Sequence, residues 1–242
     1  MIDGRDRRVL VVAAPSEAER LSALLRSGGW QPMAADGEPR ALAALATPGL
    51  AAVVLSDELI AGSGYGLCRR IREGSAIPIV LVSARATEID ETLGLELGAD
   101  DFISRAVAGR VLLARLAAVV RRTELYSTPS DEPLQAGSIA LDPRSRRCHV
   151  NGSELVLSKT EFALLAVFLS DPGRAFARDE LLDRVWGDWF SGDHVIDVTM
   201  GRLRHKLLDA GVDGAIETLR GVGYRLAVAG AADRARMAAG GG

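Results

Sequence analysis

Cysteine is scarce. Cys68 and Cys148 are the only two in 242 residues, which leaves no disulfide framework and no four-ligand zinc site and fits a reducing cytoplasm. Long apolar runs are missing as well. The longest near the start covers residues 9–14, far short of the ~20 residues that a membrane span needs. The charges ahead of it (Asp3, Arg5, Asp6, Arg7 and Arg8) do not suit a secretory signal. No charge dominates either: 29 Lys+Arg face 32 Asp+Glu, a net of −3, so no global basic field points to nucleic acid. Lysine is equally scarce. Lys159 and Lys206 are the whole supply, and the first 158 residues have none, so chemistry there that needs an ammonium group is excluded. The histidines (His149, His194 and His205) lack metal-ligand spacing. What remains is ordinary globular material, 48% apolar and 25% charged, with a length between one large domain and two ordinary ones.

Residues 8–122 alternate continuous apolar runs with helical patterns. Runs at 8–12, 51–55 and 77–82, a weaker one at 32–34 and a short one at 101–103 read as strands. Helical spacing appears at 16–27, 40–46, 65–73, 88–97 and 109–122. Apolar strands separated by helices predict βαβ units and a parallel sheet covered on both faces. The glycine cluster Gly62-Ser63-Gly64-Tyr65-Gly66 lacks the G-x-G-x-x-G spacing and follows the third strand, so it reads as a loop and not as a dinucleotide site. The polar stretch 124–137 reads as a linker and the Ala/Gly-rich end as disordered. The expected division is 1–122, a linker at 123–133, a second domain at 134–228 and a tail at 229–242.

The second domain follows a different pattern. Residues 134–242 carry 14 basic and 14 acidic residues. Short strands are expected at 138–141, 147–150 and 154–157, with Asn151-Gly152 as a two-residue hairpin turn between the last two. Ser158-Lys159-Thr160-Glu161 is a capping box. The helix it opens buries Phe162, Leu164, Leu165, Val167, Phe168 and Leu169. Helices at 178–186 and 194–208 and two β runs around a glycine turn in 217–226 complete a winged helix-turn-helix. In the last helix, Val195, Val198, Leu203 and Leu207 form the expected docking face. Thr199, Arg202, His205 and Lys206 are expected on the outer surface, with Arg204 flanking them. No acid occurs between Val198 and Leu208. A cationic helix face suits the major groove, where arginine pairs bidentately with guanine and other cations meet phosphates. Arg220, beside Gly221, is placed at a wing tip that suits the minor groove. The plain alternative is a solvated basic face.

These residues resemble the DNA-binding effector domain of OmpR/PhoB-class bacterial response regulators. The matching stretches are LSKTEFALLAVFLSDPGRAFARDELLDRVWG, VIDVTMGRLRHKL and ETLRGVGYRL. The resemblance implies double-stranded DNA as partner, Arg202 as the leading base contact, and Thr199, Arg204, Lys206, His194 and Trp186 as groove or phosphate contacts, with Arg220 in the wing. It also implies that the loop 187–193 is offered to RNA polymerase. Two departures stand out. Gly201 occupies a place where the family usually has a basic residue, and Ala177 replaces a hydroxyl N-cap, a change worth about 1 kcal/mol.

Residues 8–122 resemble a receiver domain, through GYGLCRRIRE, IPIVLVSAR, LGLELGADDFIS and LLARLAAVVRR. The fold implied is α/β, a five-stranded doubly wound parallel sheet of flavodoxin-like order. An ordinary receiver uses an acidic pair and an aspartate to hold Mg²⁺, and a lysine and a hydroxyl for the phosphoryl oxygens, because a dianion beside a carboxylate needs cationic compensation. Here Ala13 and Ala14 replace the acidic pair and Ser56 stands at the acceptor position. Asp57 follows one residue late, on the opposite face if the strand continues. Arg105 stands for the lysine and Ala106 for the proline after it, while Ser83 and Phe102 keep the hydroxyl and the switch aromatic. The expectation is a degenerate pocket that binds Mg²⁺ weakly or not at all, with no metal site, no cofactor and no catalytic residues. The histidine kinase that ordinarily supplies the phosphoryl group is left open as a partner. The resemblance also implies a homodimer through the fourth helix, fifth strand and fifth helix, with Leu95 and Leu113 as apolar centre and Asp100 or Asp101 pairing with Arg115. Glu91 and Val111 stand where an opposite-charge pair is usual. The overall expectation is a cytoplasmic transcription regulator, not an enzyme. Its alternatives are ordinary switching through Asp57 and a small-molecule input at the vacated pocket.

Overall fold

Four successive buried positions in Arg8–Val12 (β1) arise because both faces of the strand are covered. The computed structural model describes residues 7–85, 87–106, 109–125, 132–187 and 194–227. It places Pro15–Ser27 (α1), Gln31–Ala35 (β2), Glu38–Ala44 (α2), Leu50–Ser56 (β3), Gly64–Gly74 (α3), Ile79–Ser83 (β4), Glu88–Glu96 (α4), Asp101–Ser104 (β5) and Gly109–Leu125 (α5) after β1. The strands pair in parallel in the order β2-β1-β3-β4-β5, the doubly wound order expected. Pro32, which has no amide to donate, lies in the edge strand β2. The period-2 alternation of strand side chains splits the core into two layers. Val9, Val11 and Val54 pack with Leu21, Leu25, Leu116 and Val119 of α1 and α5. Leu10, Val12, Val53 and Leu55 pack on the other face with Ala41, Leu67, Cys68 and Ile71 of α2 and α3.

The chain divides at residues 121/122 into two compact units, with α5 running to Leu125, three residues past its expected end. In the second unit Leu134–Ala136 (β6), Ile139–Asp142 (β7), Arg147–Val150 (β8) and Ser153–Leu155 (β9) form an antiparallel sheet in sequence order. β6 draws on residues that looked like linker, because its partner β7, and not its own composition, supplies the pairing. Asn151 and Gly152 join β8 to β9 with φ of 52° and 81°, the left-handed pair of a type I′ turn. Lys159–Ser170 (α6), Ala175–Phe176 (β10), Arg178–Val185 (α7), His194–Asp209 (α8), Ile216–Leu219 (β11) and Gly223–Leu226 (β12) follow. β10, β12 and β11 form a second small sheet. α6 is buried from Thr160 to Leu169 and its Phe168 meets Phe176 edge-on at 5.6 Å, a favourable aromatic geometry. Ala177 caps α7 without a side-chain hydrogen bond. The expected tail at 229–242 and most of the loop at 187–193 lie outside the described residues.

Candidate functional site

In the first unit β1, β3, β4 and β5 run parallel, so their C-terminal ends share one edge of the sheet, the usual place for chemistry in a parallel α/β fold. Ser56 ends β3, and its buried hydroxyl donates to Glu17 Oε2 at 2.8 Å. Glu17 lies in the first turn of α1, where a helix N-terminus favours an anion. Arg105, just past β5, sets its Nε 2.7 Å from Glu17 Oε1. The same guanidinium reaches Ser56 Oγ at 3.3 Å and Asp57 Oδ1 at 3.4 Å. Glu58 lies farther out, at 3.7 Å. Ser83 Oγ donates to Asp57 Oδ2 at 2.5 Å and accepts the Arg85 amide at 3.0 Å. One arginine therefore spans two nearly buried carboxylates and a serine.

Asp57 is not turned away from this pocket, contrary to expectation. It lies beyond the last paired residue of β3, so strand alternation no longer governs it. Its carbonyl accepts the Gly64 amide at 3.0 Å, which folds the loop back on itself. A Cβ on Gly64 would stand 1.9 Å from the Ser56 carbonyl, so the loop needs glycine there. Ala13 is core and Ala14 is the N-cap of α1 without a side-chain bond. Among the described residues no group of three or more His, Cys, Asp or Glu side chains is placed to hold a metal ion.

In the second unit, α8 docks through Val195, Ile196, Thr199, Met200, Leu203 and Leu207, all buried. Thr199 was expected on the outer surface and is 4% exposed. The docking stripe is broader than expected and includes Ile196 and Met200, while Val198 is only half-buried. Arg202 and Lys206 also turn inward. Arg202 comes within 2.8 Å of Glu161 Oε1, and Lys206 lies 2.7 Å from Glu161 Oε2 and donates to the Val156 carbonyl at 2.9 Å. Glu161 is fully buried and closes the capping box by accepting the Ser158 amide at 2.7 Å. Burial alone would push its carboxyl up. The charges of Arg202 and Lys206 and the bonds from Lys206 and Ser158 outweigh burial and hold it below the ordinary glutamate value. Arg204 donates to the Ile216 carbonyl at 2.9 Å and Thr218 Oγ1 at 2.7 Å and lies over the Tyr224 ring. Asp197 takes both Arg178 and the Tyr224 hydroxyl, tying α7, α8 and β12 together. Trp186 is buried and Arg220 is exposed in the β11–β12 turn. The His194 side chain lies outside the described residues.

A family model described as "Transcriptional regulatory protein, C terminal" matches residues 152–226. The sensory transduction protein RegX3 of Mycobacterium tuberculosis (strain ATCC 25618 / H37Rv) is 38% identical over 222 residues, covering 90% of this chain and 97% of that protein. The phosphate regulon transcriptional regulatory protein PhoB of Escherichia coli (strain K12) is 36% identical over 225 residues with the same coverage.

The chain belongs to the OmpR/PhoB family of response regulators.

A solved structure of a RitR mutant shares the fold with a TM-score of 0.77 at 20% identity, covering 91% of this chain and 99% of that one. The chain is thus a response-regulator transcription factor with an N-terminal receiver and a C-terminal winged-helix domain. In this response regulator the residues expected at the dimer face are placed differently. Leu95 is 2% exposed. Leu113 packs against the α1 side of the core, next to Gly28. The two therefore form no exposed apolar centre. Asp101 does pair with Arg115, at 3.0 Å within one chain, while Asp100 pairs with Arg72 at 2.8 Å. Among the described residues, the exposed large apolar side chains on α4 and α5 are Ile89, Leu93 and Val111. Phe102 is buried against Gly94.

Sequence reasoning missed Glu17 and the hub role of Glu161. For Glu161 a signal existed: an acid in a helix that is otherwise apolar all round must be buried and therefore paired. Glu17 had only a weak one, an acid in the turn after the first strand.

Proposed function

We propose that this regulator binds double-stranded DNA sequence-specifically, in the cytoplasm and as a homodimer, and that its receiver is set without Mg²⁺-dependent aspartyl phosphorylation. The observation that carries this reading is Arg105. Its guanidinium sits against Glu17, Ser56 and Asp57, where an ordinary receiver gathers a metal and a phosphoryl group. A divalent ion needs anionic oxygens free of competing charge. Here both carboxylates already face a fixed cation and Ser56 offers only a hydroxyl, so the residues present do not fit Mg²⁺. The Ser83 hydroxyl, which would bind a phosphoryl oxygen, is engaged by Asp57.

Homodimer formation through α4, β5 and α5 fits the outward set Ile89, Leu93 and Val111, in place of Leu95 and Leu113. Activity on transcription would further need RNA polymerase, for which the 187–193 loop is the expected contact. A histidine kinase would have Asp57 as its candidate acceptor, and that carboxylate is already engaged by Arg105 and Ser83. The exposed Arg220 suits the wing role, and Arg204 steadies that wing through β11. The decisive experiment exposes the full-length protein to acetyl phosphate with Mg²⁺ and reads its intact mass. No phosphoryl adduct is expected. An adduct that Asp57→Ala abolishes would restore ordinary switching and end this reading.

A further inference from the structure

We propose that DNA binding by this protein takes up a proton at His205, so that the imidazole acts as a titratable cation on the groove-facing side of α8; this inference rests on the DNA-binding reading above. At 100° per residue, the strip of α8 opposite its buried face runs through Val198, Gly201, His205, Leu208 and Asp209. Of the basic side chains described on α8, Arg202 and Lys206 turn to Glu161, and Arg204 turns to β11 and Tyr224. His205 is the one that points to solvent, with its side chain 74% exposed. Gly201, one turn earlier, adds no side chain, and nothing lies within 4 Å of where its Cβ would stand. Duplex DNA approaching this strip meets one imidazole in place of a row of permanent cations.

The surroundings of His205 decide the sign. Its Nε2 lies 3.4 Å from Asp209 Oδ2 on the same helix. Arg204, Asp213 from the α8–β11 loop and Ile216 of β11 line the same open groove of about 330 Å³. Two carboxylates and one committed guanidinium thus face the imidazole. Without a proton, His205 leaves Asp209 as an uncompensated negative charge on the strip that meets phosphates, which opposes binding. With one, the imidazolium compensates Asp209 through Nε2 and can donate from Nδ1 to a phosphate oxygen or a guanine acceptor. Nearby phosphates favour the charged form, so the complex holds the proton more tightly than the free protein does. The gain in affinity is present where the imidazole is charged and is lost as rising pH removes the proton. An imidazole places this change between about pH 5 and 8. A single linked proton limits the slope to about tenfold in affinity per pH unit.

The experiment selects a duplex from a random pool with the full-length protein at about pH 6 and then measures affinity by fluorescence anisotropy at constant ionic strength up to about pH 8. Wild-type affinity should fall roughly three- to tenfold or more across that range for one linked proton. His205→Ala should bind weakly and without pH dependence, and His205→Arg tightly and without pH dependence. His149→Ala should keep the wild-type slope. An unchanged slope in His205→Ala, or its loss in His149→Ala, overturns the assignment while leaving DNA binding intact. Enrichment of no duplex at any pH would instead overturn the DNA-binding reading itself.

Discussion

Replacing Glu161 with Gln removes one charge from the interior of the winged-helix domain and little else. The amide keeps the side-chain shape, and its oxygen can still accept the Ser158 amide, so the cap survives. What is lost is the anion that Arg202 and Lys206 both address, at 2.8 and 2.7 Å. Breaking a buried pair by deleting one partner costs about 3–5 kcal/mol because a charge is left uncompensated. Here the orphaned charges are 15% and 25% exposed and can partly turn to water, which lowers the expectation to about 2–4 kcal/mol. For a domain of this size that corresponds to a Tm lower by on the order of 10–25 °C. The two units need not unfold together, so the measurement should isolate one of them: urea-dependent hydrogen exchange of the α6 and α8 amides in the full chain. The pH dependence adds a second check. Glu161 titrates below the ordinary glutamate value in the folded protein. Its contribution is therefore present above the unfolded value of about 4.3 and disappears as pH falls through the folded one. Wild type and Glu161→Gln should converge in acid. A gap under about 0.5 kcal/mol at neutral pH, the size of an ordinary surface change, or a gap that persists in acid, would refute the buried-hub argument.

Three further outcomes follow from the receiver. Arg105→Met should leave Glu17 and Asp57 facing each other across Ser56 without their cation, and Mg²⁺ should then protect the receiver from thermal unfolding where it does not protect wild type; equal insensitivity of both would remove Arg105 as the group that excludes Mg²⁺. Gly64→Ala would drive a Cβ to 1.9 Å from the Ser56 carbonyl, so the β3–α3 loop must shift, with an expected loss of at least about 2 kcal/mol; an unperturbed melting curve would show that the loop is not built as described. Ile89→Glu places a charge on a side chain that is 79% exposed, so light scattering should show the full-length dimer reduced to monomer with stability unchanged; an intact dimer would move the interface away from α4.

Much of the fold was legible along the chain because its causes are local. Apolar strands bounded by helices predicted the parallel sheet, Asn151-Gly152 the hairpin, and Ser158 with Glu161 the capped helix, since each depends on backbone geometry within a few residues. The pocket was half legible. The absence of lysine before Lys159 and the alanines at 13 and 14 showed what was gone, but not what replaced it. Glu17 and Arg105 lie far apart in sequence and meet only because α1 begins and β5 ends at the same edge of the sheet.

Helix α8 shows the limit most clearly. Its basic residues could be counted from the sequence, yet helical periodicity alone did not say which half of the helix would be covered. Packing against α6 turned Thr199 inward and gave Arg202 and Lys206 a buried carboxylate to neutralise, because an isolated charge cannot remain at Glu161. Local patterns thus determined most of the elements, although β6 and β10 form only through their partners β7 and β12. Which cations face the solvent, which pair internally, and what fills the pocket at the strand ends were decided by long-range packing, since only the assembled core sets the dielectric and the partner that each charge meets.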